Sequence, residues 1–526
     1  MTQDTRLLIT LLIVIVSTEV NLNAREVDIL LRGGTVIDGS GSAAGAADVA
    51  IRNEKIVHVG TADVPEAAWS VDCTGLVICP GFIDLHNHSD RQIVKPETRA
   101  VVNYVTQGCT TIVTGNCGSG PVDTGDYYEK IDQYGAGPNV AHLIPQGSLR
   151  ERVLGSANVE PTDEQLREML KLSEEAMQDG AWGVSTGLIY VPSSYASTEE
   201  LTEIAKVVAT HGGIYASHVR GEGTTLLKSV DEALHIGREA NVHVHISHFK
   251  SSGRDAWGLV REAARLIDSE RKAGRTVTAD QYPYIASSTS LGATLLPSSA
   301  RAGGTKELIK RLNDAKTGTR LRILISNAIM KRDNGNAVRI ARYGPNKKWV
   351  GRSLADIAAG SNRPIVEIAE EIIREGGASV VNFSMHEDDV RHIMAIDWVA
   401  TASDGRAYLP GSDRPHPRNY GTFPRKLAYY SIQERVIPLE AAVRSMTSLP
   451  AEILRMTDRG LIAEGLAADI TVFDPKKLRD TATFDEPHQY AEGIRYVFVN
   501  GTPVVYNGNV TGALPGKALR FPGPDK

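Results

Sequence analysis

Two hydrophobic periodicities divide this chain. From residue 27 to 78 short β-type runs alternate with turn residues: Asp28-Ile-Leu-Leu-Arg, Gly34-Thr-Val-Ile-Asp, Asp48-Val-Ala-Ile-Arg and Lys55-Ile-Val-His-Val-Gly, punctuated by Gly, Asn and Asp as in a meander. A matching set returns in Asp469-Ile-Thr-Val-Phe-Asp and Val497-Phe-Val-Asn-Gly-Thr-Pro-Val-Val, so the two ends are expected to share one small β-sandwich domain, 25–80 with 461–526. Between them, apolar runs of strand length at 82–86, 110–114, 140–145, 183–185, 213–218, 242–248, 276–281 and 398–403 mostly alternate with helical patterns. One of these, 162–178, opens on the capping box Thr162-Asp-Glu-Gln; another spans 197–210. The α/β alternation predicts a (β/α)8 TIM-type barrel over 81–460, its active site where the strands end. The interval 285–377 exceeds one helical connection, which predicts an insertion over the barrel mouth.

A chain of 526 residues accommodates one large and one smaller domain, and 42% hydrophobic with 23% charged residues is the composition of a soluble globular protein. With 57 Lys and Arg against 63 Asp and Glu, the net charge of −6 carries no basic footprint for nucleic acid, leaving small-molecule chemistry as the expectation. Residues 7–16 form an apolar or Thr-containing run behind Arg6, followed by a polar stretch ending at Ala24. Ten residues are too few to span a bilayer. The run is read as part of a signal peptide, 1–24, of a secreted or periplasmic protein with no stable membrane insertion after cleavage; the alternatives are a membrane anchor or a buried first strand. Four cysteines are no disulfide framework, although Cys73 and Cys79 can pair in an exported protein.

The strand ends carry the chemistry. His86 and His88 share one parity at the end of strand one and so project together. Strand two runs into Gly115-Asn-Cys117-Gly, whose glycines permit a tight turn with a thiol at the rim, a zinc-ligand type when ionised; Cys109 fits a bland buried role better. Strand five ends in His218 and strand six in His248. Val244, Ile246 and His248 share a parity, which suggests an inward-facing series with His243 and His245 structural on the other side. Strand eight ends in Asp404. Taken singly, each also fits the part of an ordinary polar residue at a barrel rim. Together they point to a hydrolytic zinc site, with Asp404 as the carboxylate that takes a proton from water and passes it to a leaving nitrogen.

These residues sit in familiar motifs. Gly81-Phe-Ile-Asp-Leu-His-Asn-His, Gly115-Asn-Cys-Gly, Ser185-Thr-Gly-Leu-Ile-Tyr-Val-Pro, Ser217-His-Val-Arg, Ile246-Ser-His-Phe-Lys, Asp280-Gln-Tyr-Pro-Tyr, Ser403-Asp-Gly, His416-Pro-Arg-Asn-Tyr-Gly-Thr-Phe-Pro-Arg and Met446-Thr-Ser-Leu-Pro-Ala resemble the N-acyl-D-amino-acid deacylases of the amidohydrolase superfamily. The Gly-Asn-Cys-Gly element separates this family from hydantoinases and dihydroorotases, whose modified lysine on strand four has no counterpart in Trp182-Gly-Val-Ser-Thr-Gly-Leu. The resemblance implies a tightly bound Zn2+ on Cys117, His218 and His248, a second, weaker metal position on His86 and His88, and Asp404 as general acid/base. It further implies Lys250, Tyr282 and Arg418 as holders of the substrate α-carboxylate, with Tyr284 a competitor for Tyr282, and a lid between strands seven and eight. The expected substrate is an N-acyl-D-amino acid. Rival expectations are a dipeptidase or cyclic-amide hydrolase on the same scaffold, or a non-catalytic binding barrel; the sequence leaves the oligomeric state open. Two stretches depart from the family pattern, Val191-Pro-Ser-Ser-Tyr and Arg406-Ala-Tyr-Leu-Pro-Gly-Ser-Asp-Arg-Pro, and both are expected to border the acyl or side-chain pocket.

Overall fold

A computed structural model describes residues 27–523; the signal-peptide expectation lies outside them. The eight barrel strands form in order as Phe82–Asp84, Cys109–Thr114, Asn139–His142, Gly183–Gly187, Ile214–His218, His243–Ile246, Val277–Gln281 and Val399–Thr401. Successive strands pair in parallel, and strand three passes the ladder to strand four through its continuation Ile144–Pro145. The ring closes between strands eight and one at the active-site end. There the Asp404 N–H donates to the His86 carbonyl at 2.8 Å and the His88 N–H to the Gly405 carbonyl at 2.7 Å.

A parallel barrel buries both faces of every strand. Ile83, Val113, Ala141, Ile214, Ala216 and Ala400 fill the interior, while Val184, Tyr215, Val244, Ile246 and Val399 pack against helix residues such as Leu201, Ile204, Leu234 and Ile267. The helix Asp163–Gln178 starts on the expected capping box, Thr162 accepting from the Gln165 N–H and Gln165 reaching back. No helix among the described residues is long and apolar enough to cross a membrane.

The two chain ends share one nine-stranded sheet, joined where Val77–Pro80 pairs antiparallel with Ile470–Phe473. It curls so that Leu31, Val49 and Val71 from one end share a core with Ile470, Val472 and Phe498 from the other. Beyond Val510 the chain leaves this sheet and packs along the barrel, where Trp182 Nε1 donates to the Leu519 carbonyl at 2.6 Å. Cys73 and Cys79 do not pair: all four cysteines are free thiols, these two lie in different cores, and the Cys79 thiol donates to the Thr471 carbonyl.

Between strands seven and eight stands the lid. Its three-stranded antiparallel sheet places Ser379–Phe383 between Ala286–Ser290 and Val338–Arg342, so the insertion reaches past residue 377 because its closing strand pairs with its opening one. Helices Ala315–Met330 and Ile365–Arg374 bury Leu321, Ile325, Ile368 and Ile372 in a core made only of lid residues.

Candidate active site

Cys117 sits on the turn Asn116–Gly118 with φ 51°, a left-handed conformation that costs a non-glycine residue energy. The turn presses on strand four: a Cβ on Gly187 would lie 2.1 Å from the Cys117 carbonyl oxygen, so that position is closed to any side chain. The sulfur lies 3.3 Å from His86 Nε2, 3.5 Å from His218 Nδ1 and 3.5 Å from His248 Nε2, and all four residues are buried. His88 is partly exposed, its Nε2 3.1 Å from Asp404 Oδ1, which is also 3.7 Å from His86 Nε2. Every residue expected to hold metal therefore converges on one spot. Burial alone would push the Cys117 thiol up, but His86 and His218 hold it well below its usual value, as suits a sulfur that binds as thiolate.

The route by which His248 arrives differs from expectation. Val244 and Ile246 point outward to the helices, and His243 and His245 face the barrel interior, in register with Ile214 and Ala216 of strand five. His248 lies beyond the strand end, where φ 37° breaks the alternation. Both faces of strand six are buried, so parity alone did not tell inside from outside.

Asp404 Oδ2 pairs with Arg418 Nη1 at 2.7 Å. Burial opposes ionisation of this carboxyl, but Arg418 and then His248 keep it well below the usual carboxylate range. Tyr282 is buried with its hydroxyl unpartnered; the Arg418 guanidinium stands 4.8 Å and Lys250 Nζ 5.6 Å from its ring centre. Tyr284 instead packs under Arg425, 4.9 Å from its ring. Lys250 donates to Glu222 Oε1 at 2.5 Å and to the His248 carbonyl at 2.9 Å. Burial works against its ammonium, Glu222 more than compensates, and its pKa rises to about 12.

A cavity of about 430 Å3 opens over His88, Cys117, Asp404 and Arg418. Its walls include Tyr190, then Pro192 and Ser193 from one departing stretch, Arg406, Tyr408 and Asp413 from the other, and Ser288, Thr289 and Arg342 from the lid. Lys250 and Tyr282 do not line this cavity; they line a separate, smaller recess together with His248 and Tyr284.

Sequence reasoning missed two carboxylates. Glu222, four residues past His218, approaches His248 Nδ1 to 3.0 Å and His218 Nε2 to 3.8 Å. Asp280 on strand seven approaches His86 Nδ1 to 3.5 Å. The signal for Asp280 lay inside the quoted Asp-Gln-Tyr-Pro-Tyr motif; for Glu222 it was the i, i+4 spacing from a histidine. The donor atoms fall into three groups, each with its atoms within 4.8 Å of one another: His86, Cys117 and His248; His86, His88 and Asp404; His218, Glu222 and His248. Thiolate, imidazole and carboxylate donors at this spacing fit zinc, and the ring nitrogens His86 Nδ1 and His218 Nε2, buried without a hydrogen bond, face carboxylates that can orient the rings.

Residues 70–505 match the family described as "Amidohydrolase family". The chain belongs to that family. Within it, this amidohydrolase is 35% identical over 520 residues to the D-aminoacylase of Alcaligenes xylosoxydans xylosoxydans, a match that covers 94% of this chain and 98% of the relative. A crystal structure of D-aminoacylase superposes with a TM-score of 0.81 at 34% identity, covering 94% of this chain and 100% of that one. The N-acyl-D-glutamate deacylase of Bordetella bronchiseptica, solved with zinc and a phosphonate that mimics the tetrahedral intermediate, gives 0.80 at 30% identity over 94% and 99%. The chain is thus a metal-dependent amide hydrolase of the D-aminoacylase type.

Proposed function

We propose that this enzyme hydrolyses N-acyl-D-amino acids to a carboxylate and the free D-amino acid, with zinc as its metal. The observation that carries the reading is the convergence of three imidazoles, from the ends of strands one, five and six, on the Cys117 sulfur beside a carboxylate gripped by an arginine. Cys117, His218 and His248 would hold the tightly bound ion, and His86 with His88 a second, weaker position. When bound, the ion lowers the pKa of water and polarises the scissile carbonyl.

The chain's own groups supply the rest. Asp404 is kept ionised by Arg418 through Oδ2, so Oδ1, on the His88 side, takes a proton from the attacking water and returns it to the leaving nitrogen. Arg418, Lys250 and Tyr282 hold the α-carboxylate; the Tyr282 hydroxyl is unpartnered and two cations stand over its ring, which suits an anion. Anchoring the carboxylate while the carbonyl meets the metal end leaves one side of the α-carbon facing the cavity, which selects configuration. The activities named for the D-aminoacylase and N-acyl-D-glutamate deacylase relatives support this reading. We place the reaction outside the cytoplasm on the apolar run at 7–16 and the small residue Ala24; the mature N-terminus after export decides it.

The test is amine release by the zinc-loaded protein from paired N-acetyl-D- and N-acetyl-L-amino acids with apolar, acidic and basic side chains. Release from D forms alone is expected. Release from neither form, with zinc retained, would move the substrate to a dipeptide or cyclic amide.

A further inference from the structure

A buried chain of hydrogen bonds runs from the metal-ligand cluster along the interior of the barrel. His245 Nε2 lies 2.8 Å from Asp280 Oδ2, His245 Nδ1 2.9 Å from Thr278 Oγ1, and Thr278 Oγ1 2.8 Å from His243 Nε2. The four residues are at most 8% exposed. We infer that His245 is a positioning residue: through Asp280 it sets the orientation of two metal-ligand histidines, His86 and His248. The inference rests on the metal-centre reading above.

The direction of each bond follows from what each group can donate. An ionised carboxylate only accepts, so a proton sits on His245 Nε2 and Nδ1 of the neutral ring must accept. The Thr278 hydroxyl therefore donates to His245, and its oxygen accepts from His243.

At the far end Asp280 acts on both histidines at once. Its Oδ2 faces His86 Nδ1 at 3.5 Å, which favours the proton on that nitrogen and leaves Nε2, 3.3 Å from the Cys117 sulfur, as the donor atom toward the metal. Its Oδ1 accepts the His248 backbone N–H at 2.7 Å, and its backbone carbonyl accepts the Phe249 N–H at 2.8 Å. These two bonds clamp the residue whose φ of 37° carries the strain that turns His248 toward Cys117. His245, bonded to Oδ2, holds the carboxylate at the rotation in which Oδ2 faces His86 and Oδ1 accepts from His248.

The experiment compares wild type, His245→Leu, His245→Gln and Thr278→Val, with folding checked by circular dichroism. Zinc affinity is measured by competition with a chromophoric chelator, and the ligand field by the visible spectrum of the cobalt(II)-substituted protein. His245→Leu is expected to bind zinc roughly 10–100-fold more weakly and to shift the cobalt bands. His245→Gln, whose amide N–H can donate to Asp280, should recover most of both, and Thr278→Val should show a smaller loss in the same direction. A folded His245→Leu protein with wild-type affinity and spectrum overturns the inference. If that variant does not fold, an unchanged Thr278→Val protein overturns it. Wild type that binds no zinc would instead sink the metal-centre reading.

Discussion

The metal end of the barrel and the wall that faces it are built on different terms. His86, Cys117, His218 and His248 come from the ends of four strands, are at most 6% exposed, and two of them occupy left-handed backbone. Each side chain there is aimed by others, Asp280 and Glu222 among them, so the surroundings leave it little freedom. The opposite wall belongs to the lid and the loop after Asp404. The lid folds around its own core and meets the barrel at and just before the departing stretch through polar contacts, Tyr190 Oη with Thr289 Oγ1 at 3.2 Å and Tyr195 Oη donating to the Ser298 carbonyl at 3.1 Å. Arg342 and Arg406 stand exposed on that wall. The metal-ligand cluster thus sits on the barrel, while part of the cavity wall sits on a lid with its own core, so a change in one need not disturb the other.

The largest effect should come from the metal end. Asp404→Asn removes the proton carrier while keeping the shape, so kcat is expected to fall about 1,000-fold with zinc still bound. Steady-state kinetics together with metal analysis checks both halves, and a variant with near-normal kcat would leave Asp404 a merely structural neighbour.

A smaller effect sharpens the contrast between charges inside and outside the site. Lys250 and Arg418 each have a carboxylate partner, whereas Lys426, equally buried, donates among the described residues only to Thr401 Oγ1, at 2.7 Å. Burial pushes its ammonium down from 10.5 to about 7. A group whose folded pKa lies below its unfolded value is more protonated in the unfolded chain, so stability rises with pH between about 7 and 10.5 and is lowest below that window. Chemical denaturation should show a gain of roughly 2 kcal/mol from pH 7 to pH 9 attributable to this residue, absent in Lys426→Met. An unchanged slope in the variant would mean that Lys426 stays charged when folded.

The smallest effect belongs to the lid. Arg342 lines the cavity from the lid and forms no ion pair among the described residues. Arg342→Ala should raise KM for acidic relative to apolar substrates about two- to fivefold with kcat kept, the scale of an exposed charge contact. A loss as large as that of Asp404→Asn would break the division between the two regions.

Much of this was legible in the chain, for reasons that belong to particular residues. Strand lengths and helical spacing predicted the eight strands because a barrel needs each of them apolar, and its ligand types appear where those runs stop. The lid showed itself as an interval too long for one helix, and the capping box at Thr162 marked a helix start from four residues alone. These features are local, and local pattern is what a sequence states directly.

What tertiary structure alone decided is how distant residues face one another. Which side of strand six looks inward was unreadable, since Val244 and His245 are both buried and only the register with Ile214 and Ala216 separates them. The partners of the ligands were equally hidden: Asp280 meets His245 across the paired strands six and seven, it meets His86 only where the ring closes on strand one, and Arg418 meets Asp404 across the loop that follows strand eight. A side chain's type is fixed by its codon, but a hydrogen bond needs a donor and an acceptor brought within about 3 Å, and that distance exists only in the folded barrel.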